Sequence, residues 1–312
     1  MEQRTMEIVL MYYRKKYGLK QEHICNGICS VTTLSRLEQG YREIDSLMGE
    51  LLLGRIGKEV TLFETMLNDE DYDLWKTRDE IKGLVEKREL DKAQTQIDKY
   101  RKIMPHNEKI HEQFCLHQEA LLLKQKNEFP AMLKTLKKAI SITIPCFASL
   151  DGTKRLYNAT EIEIILLLLK HGNTENDRAE KTLLSLLEYV NQYYSEQKKK
   201  QVGTEICMKL TDYVKDSPKK IMKYTKQAIN FIGRGDGYWF LAELYFKNAI
   251  AVEQYYSHRE EWTVYQKKCF RDCQMAYYLF ENEEKKEKQL EVQEFCGEKL
   301  KCQITEQGMF YD

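Results

Sequence analysis

Val31, Thr32, Ser35 and Arg36 fall together in the stretch 20–40, KQEHICNGICSVTTLSRLEQG, and their types suit contact with the edges of paired bases. Valine and threonine methyls can touch a thymine methyl, and an arginine can give two hydrogen bonds to guanine. Short side chains at the front of an exposed helix, with one long donor a turn later, fit insertion into a major groove. Ser30 and Thr33 complete the polar set on the same helix, and Arg42 stands just beyond it.

The elements that present these residues follow from local rules. A helix is expected over about 21–25, a turn over Asn26-Gly27-Ile28-Cys29, and a second helix from Ser30 to about Glu38. Ser30 can accept a hydrogen bond from a free backbone N–H at the start, and Gly40 can take the left-handed conformation after the end. Leu34 and Leu37 share one face of the second helix, and Ile24 and Ile28 can pack against it. An opening helix is expected over 6–16, with Met6, Leu10 and Tyr13 on one face. A fourth carries Leu47, Leu51 and Leu52 and ends at Gly54 or Gly57, and a short closing helix holds Val60, Leu62, Phe63 and Met66.

The pattern G-L-x-Q-E-x-I…S-x-x-x-L-S-R-L-E-x-G, residues 18–40 here, resembles the Cro/phage-repressor (XRE) helix-turn-helix. The wording ICSVTTLSRLEQG is similar to the peptide-pheromone regulators of Gram-positive bacteria, the Rgg/PlcR-like RRNPP group. The resemblance covers about a fifth of the chain. It implies an all-α fold: a five-helix, lambda-repressor-like helix-turn-helix domain followed by a tetratricopeptide-like (TPR) α-superhelix. It also implies that Arg14 lies at the DNA backbone side, that Gln21 touches a phosphate, and that Val31, Thr32 and Arg36 face bases.

Composition agrees with a helical protein. The 312 residues include only four prolines, with Glu, Lys, Leu and Gln between apolar residues at helical spacing. Net charge is zero, and the first 66 residues hold nine Lys/Arg against nine Asp/Glu, so attraction to DNA has to be local. Arg14, Lys15, Lys16 and Lys20 form one basic cluster, which Arg36 and Arg42 extend. Nine cysteines without a disulfide framework point to a reduced cytoplasm. No signal peptide opens the chain, and the longest apolar run, 162–169 broken by Glu163, is far short of the about 20 residues a membrane span needs.

After an acidic stretch, Asn68-Asp69-Glu70-Asp71, the chain reads as paired helices. The pairs are expected at 72–87 and 89–103, 107–126 and 129–143, 154–171 and 175–196, 199–215 and 218–232, and 237–256 and 259–282, with a last helix at 284–300. The period, roughly 37 to 46 residues, is looser than the about 34 of an ideal TPR. The domains are therefore placed at 1–67, for DNA binding, and 72–312, a helical-repeat domain for ligand binding and dimerisation. Few contacts are expected to cross the acidic boundary. Stacked helical pairs leave a concave wall lined by the first helix of each. An extended peptide needs side-chain amides for its backbone and pockets for its side chains. Asn158 and Asn248 could supply the amides, and Tyr157, Glu161, Trp239 and Tyr245 the pockets.

Other chemistry finds little footing. His23 with Cys25 and Cys29, and Cys269 with Cys273, lack paired C-x-x-C zinc spacing. His106, His111 and His117 read as surface histidines, and Gly233-x-Gly235-x-Gly237 is not followed by Gly-Lys-Ser/Thr. No cofactor and no catalytic set is expected, so the chain reads as a non-enzyme. The leading expectation is a dimeric transcription regulator that binds double-stranded DNA and senses a signalling peptide. The alternative is a protein-interaction scaffold whose N-terminal part only tethers or dimerises.

Overall fold

Ile24, Leu34 and Leu37 are fully buried with Leu10, so the three N-terminal helices close around one small apolar centre. They are α1 (Thr5–Lys16), α2 (Gln21–Cys25) and α3 (Val31–Glu38), followed by α4 (Ser46–Gly54). The structure is a computed structural model and describes residues 5–42, 44–58, 69–105, 109–145, 147, 155–233, 240–305 and 308–311. The closing helix expected at 60–66 lies outside the described residues. The helices after it are α5 (Asp69–Glu86), α6 (Leu90–Ile103), α7 (Lys109–Gln125), α8 (Phe129–Thr143), α9 (Ala159–His171) and α10 (Asn176–Tyr193). A helical turn, Glu196–Lys198, then runs through a π-helical stretch, Lys199–Gly203, into α11 (Thr204–Tyr213). The series ends with α12 (Pro218–Ile232), α13 (Leu241–Tyr256), α14 (Trp262–Asn282) and α15 (Lys286–Phe295).

The fold is all-α in its body, as expected. Each helix from α5 to α9, and again from α10 to α15, packs mainly on its chain neighbours, which is the pattern of a helical repeat. Two differences from the sequence expectation have clear causes. Residues 155–158 are not helical, because Asn158 and Glu161 form a reciprocal capping box that starts α9 at Ala159. The last helix gives way to a π-helical stretch, Cys296–Leu300, and then to an antiparallel hairpin of β1 (Cys302–Thr305) and β2 (Gly308–Tyr311). Lys301 takes the left-handed conformation at that junction and ends helical winding.

The chain forms two compact units, Met1–Thr174 and Glu175–Asp312. In the first, polar contacts do cross the acidic stretch. Asp71, expected to be solvated, is buried and accepts from the Ser46 amide at 3.1 Å and the Ser46 hydroxyl at 2.7 Å. Arg78 donates to the Ser46 hydroxyl at 2.7 Å and to the Tyr100 hydroxyl at 3.2 Å. His111 and His117 are buried rather than on the surface, since α7 is the inner helix of its neighbourhood and packs on α5, α6 and α8. Tyr100 lies 2.6 Å from Nδ1 of His111, and burial pushes the Tyr100 phenol up to about 12. His106 lies outside the described residues. In the second unit, Ala249, Val252, Ala276, Phe280 and Val292 centre a core of α13, α14 and α15 that the hairpin completes through Cys302 and Ile304.

Candidate nucleic-acid interface

The turn between α2 and α3 is built from one glycine and one cap. Gly27 takes φ +77°, and the amides of Ile28 and Cys29 both return to the Cys25 carbonyl, at 2.8 and 3.0 Å. Ser30 is extended, and its hydroxyl accepts from the Thr33 amide at 2.9 Å. The Thr33 and Ser30 hydroxyls are themselves 2.9 Å apart, so both residues are committed to the helix start. At the other end Gly40 takes φ +72°, and the amides of Gly40 and Tyr41 return to Leu37 and Arg36 at 2.9 Å.

With Leu34 and Leu37 fully buried, the opposite side of α3 is left to solvent. Val31 is 41% exposed, Thr32 and Arg36 are exposed, and Ser35 is half-buried. Arg42 is exposed just beyond α3.

Arg14 and Gln21 sit differently. The guanidinium of Arg14 grips Glu38 with two bonds, Nε to Oε1 at 2.5 Å and Nη2 to Oε2 at 2.7 Å, and reaches the Leu19 carbonyl at 3.1 Å. Gln21 donates to the same carboxylate at 2.8 Å. The bond to Glu38 holds the Arg14 guanidinium above its already high ordinary value. Glu38 is nearly buried, with 5% of its side chain exposed. Their polar ends are engaged by Glu38, tying α1 and α2 to the end of α3, whereas the sequence reading expected them at the DNA backbone.

The turn is also braced from behind. Arg55, with 1% of its side chain exposed, donates to the Ile24 and Asn26 carbonyls at 2.8 and 2.5 Å and pairs with buried Glu161 at 2.6 Å. A Cβ placed on Gly27 would lie 2.1 Å from the Thr143 carbonyl oxygen at the end of α8. The back of the helix-turn-helix is thus pressed against α8 and α9.

The ligand candidates fare less well. Tyr157, Asn158 and Glu161 are 1%, 2% and 0% exposed, so none of them lines an open wall in this conformation. Tyr157 and Asn158 precede α9 instead of lying within it, and Glu161 is engaged by Arg55 and by the Asn158 amide. In the second unit Asn248 is buried, accepting from the Thr225 hydroxyl at 2.9 Å and donating to Asp272 at 2.6 Å. Burial pushes the Asp272 carboxyl above its ordinary value. Tyr245 is half-buried against the α13–α15 core, and Trp239 lies outside the described residues. Asparagines in long helical proteins satisfy buried neighbours as readily as ligands, and here the neighbours have them.

Two solved structures are similar over nearly the whole chain. One is Bacillus thuringiensis PlcR in complex with the peptide PapR7 and DNA, 14% identical, covering 93% of this chain and 99% of that one, with a TM-score of 0.46. The other is the apo form of the competence regulator ComR from Streptococcus vestibularis, 10% identical, covering 95% and 98%, with a TM-score of 0.44. No family profile and no curated protein matches the chain.

Arg55, Glu38 and Asp71 escaped the sequence reading. Arg55 had a usable signal, since a lone charge inside LLLGRIG is expensive to bury unpaired and so implies a partner. Its partner, 106 residues away, had none. Among the described residues no group of three or more His, Cys, Asp or Glu is placed to hold a metal ion, and no helix is long and apolar enough to cross a membrane.

Proposed function

We propose that the chain is a sequence-specific DNA-binding transcription regulator that reads double-stranded DNA with α3. The observation that carries this is the outward face of α3: Val31, Thr32 and Arg36 exposed on a helix that is capped at both ends and braced from behind. Val31, Thr32 and Arg36 contact bases, with Ser35 beside them. Arg42 and Lys20 meet phosphate. Arg14, Gln21, Ser30 and Thr33 hold the helices in position. Residues 1–67 form the reading head, and 72–312 form the sensing and dimerising part. The protein acts in the cytoplasm as a homodimer, with two heads about one DNA turn apart on a near-palindromic site. The ligand is a small signalling peptide, in keeping with the family that ICSVTTLSRLEQG resembles, and its binding biases the geometry that spaces the heads.

The test selects duplexes from a random pool and compares the wild type with Arg36→Ala. A loss of about 1–3 kcal/mol confined to one base position is expected. Undiminished affinity on every duplex would remove the assignment. The neutral charge of the head and the internal use of Arg14 favour a second reading, a protein-interaction scaffold. A salt titration separates the two: phosphate contacts make affinity fall steeply with salt, whereas a scaffold binds no duplex.

A further inference from the structure

Cys25 and Cys29 lie on either side of the turn, and the function proposed above gives them no part. Both are free thiols. Cys25 is 2% exposed, and Cys29 is half-buried. The Cys29 amide donates to the Cys25 carbonyl at 3.0 Å, so the two residues close a tight turn. With ordinary bond lengths that hydrogen bond limits the Cα separation to about 7 Å, at the edge of the range a disulfide spans. The two thiols act on each other: the neighbouring Cys29 thiol draws Cys25 below its ordinary value, helped by the nearby Arg55 charge, while the Cys25 thiol together with burial raises Cys29. The other described cysteines, Cys115, Cys207, Cys269, Cys273, Cys296 and Cys302, are all 0% exposed. Thiols sealed in apolar surroundings are inert, so among the described cysteines Cys29 and its partner are the pair a reagent reaches; Cys146 lies outside the described residues.

We propose that Cys25 and Cys29 form a reversible oxidation site that closes to an intrachain disulfide under peroxide, and that closure weakens the hold of α3 on DNA. The second half rests on the DNA-binding function proposed above. One thiol takes an oxygen atom from hydrogen peroxide to give a sulfenic acid and water. The other thiol attacks that sulfur, forming the S–S bond and releasing a second water. Two thiols and one peroxide thus give one disulfide and two waters.

The displacement has one direction open to it. A disulfide holds its two sulfurs about 2.05 Å apart, closer than two separate thiols can approach. The inner side of the turn cannot yield, because Gly27 is set against the Thr143 carbonyl and Arg55 holds the Ile24 and Asn26 carbonyls. Cys29 must move inward, and it precedes the cap Ser30 directly. The bond from the Thr33 amide to the Ser30 hydroxyl then opens, and Val31 and Thr32, in the first turn of α3, lose their aim.

The experiment treats the full chain with hydrogen peroxide, blocks remaining thiols and digests with trypsin. Cleavage after Lys20 and Arg36 leaves both cysteines on one peptide, residues 21–36. That peptide is expected to lose two hydrogens before any of the buried cysteines reacts, and to regain them with dithiothreitol. In parallel, affinity for a selected duplex is expected to fall about tenfold on oxidation and to recover on reduction, a change the size of one lost helix cap. Cys29→Ser should bind DNA as the reduced wild type does and ignore peroxide, and Cys25→Ala should repeat that result if serine disturbs the turn. The proposal is overturned if peptide 21–36 keeps both thiols while buried cysteines oxidise, or if the closed form binds duplex as tightly as the open one. Absence of duplex binding by the reduced chain would sink the DNA half together with the function beneath it, while the mass of the peptide still decides whether the disulfide forms.

Discussion

Glu161→Ala is expected to lower the unfolding free energy of the first unit by about 3–5 kcal/mol, read from a urea melt. Glu161 and Arg55 meet at 2.6 Å with 0% and 1% of their side chains exposed. Removing the carboxylate leaves a buried guanidinium with two carbonyls and no counter-charge, which is the costly way to break such a pair. It also removes half of the capping box at the start of α9, since Glu161 Oε2 accepts from the Asn158 amide at 2.9 Å. The double replacement Arg55→Leu with Glu161→Leu restores charge balance but forfeits the bonds to Ile24 and Asn26, so only part of the loss should return. A cost below about 1 kcal/mol for Glu161→Ala, the range of exposed pairs, would contradict the buried ion pair.

Gly27→Ala is expected to cost about 3 kcal/mol or more, because two effects add. A non-glycine residue at φ +77° costs about 1–2 kcal/mol. The new methyl would then lie 2.1 Å from the Thr143 carbonyl oxygen, a backbone atom that cannot swing aside, and overpacking of this kind costs about 1–3 kcal/mol. Gly18 supplies the control. It has φ +64° but nothing within 4 Å of an added Cβ, so Gly18→Ala should show the conformational cost alone. Equal melts for the two variants would mean that the helix-turn-helix is not seated on α8. Because the turn and the Arg55 brace act together, Gly27→Ala should also weaken duplex binding more than Gly18→Ala does.

The outline of the helices was legible because their signals are local. Both α8 and α12 run over the residues expected from apolar spacing, with Pro130 and Pro218 in their first turns. The geometry of the turn and α3 was legible in the same way, through the Ser30 cap, the Leu34–Leu37 face and the glycines at 27 and 40. What failed were choices that needed knowledge of neighbours. Arg14 looks like a phosphate ligand until Glu38 is seen beside it, and Asn158 looks like a peptide ligand until it is seen capping α9. The hairpin after Leu300 could not be read because its first strand is four residues long, and one alternation of Cys302 and Ile304 is too short a run to declare a strand.

The order of residues alone determined the helix-turn-helix: where α3 starts and stops, which side of it is apolar, and which side chains are left to face outward. Those are properties of one turn of backbone and its immediate neighbours, and they hold in any surroundings. Only the tertiary structure decided how those helices are held. The partners of Arg55, Gly27 and Asp71 lie 106, 116 and 25 residues away, and separations of that kind leave no periodic trace in a chain.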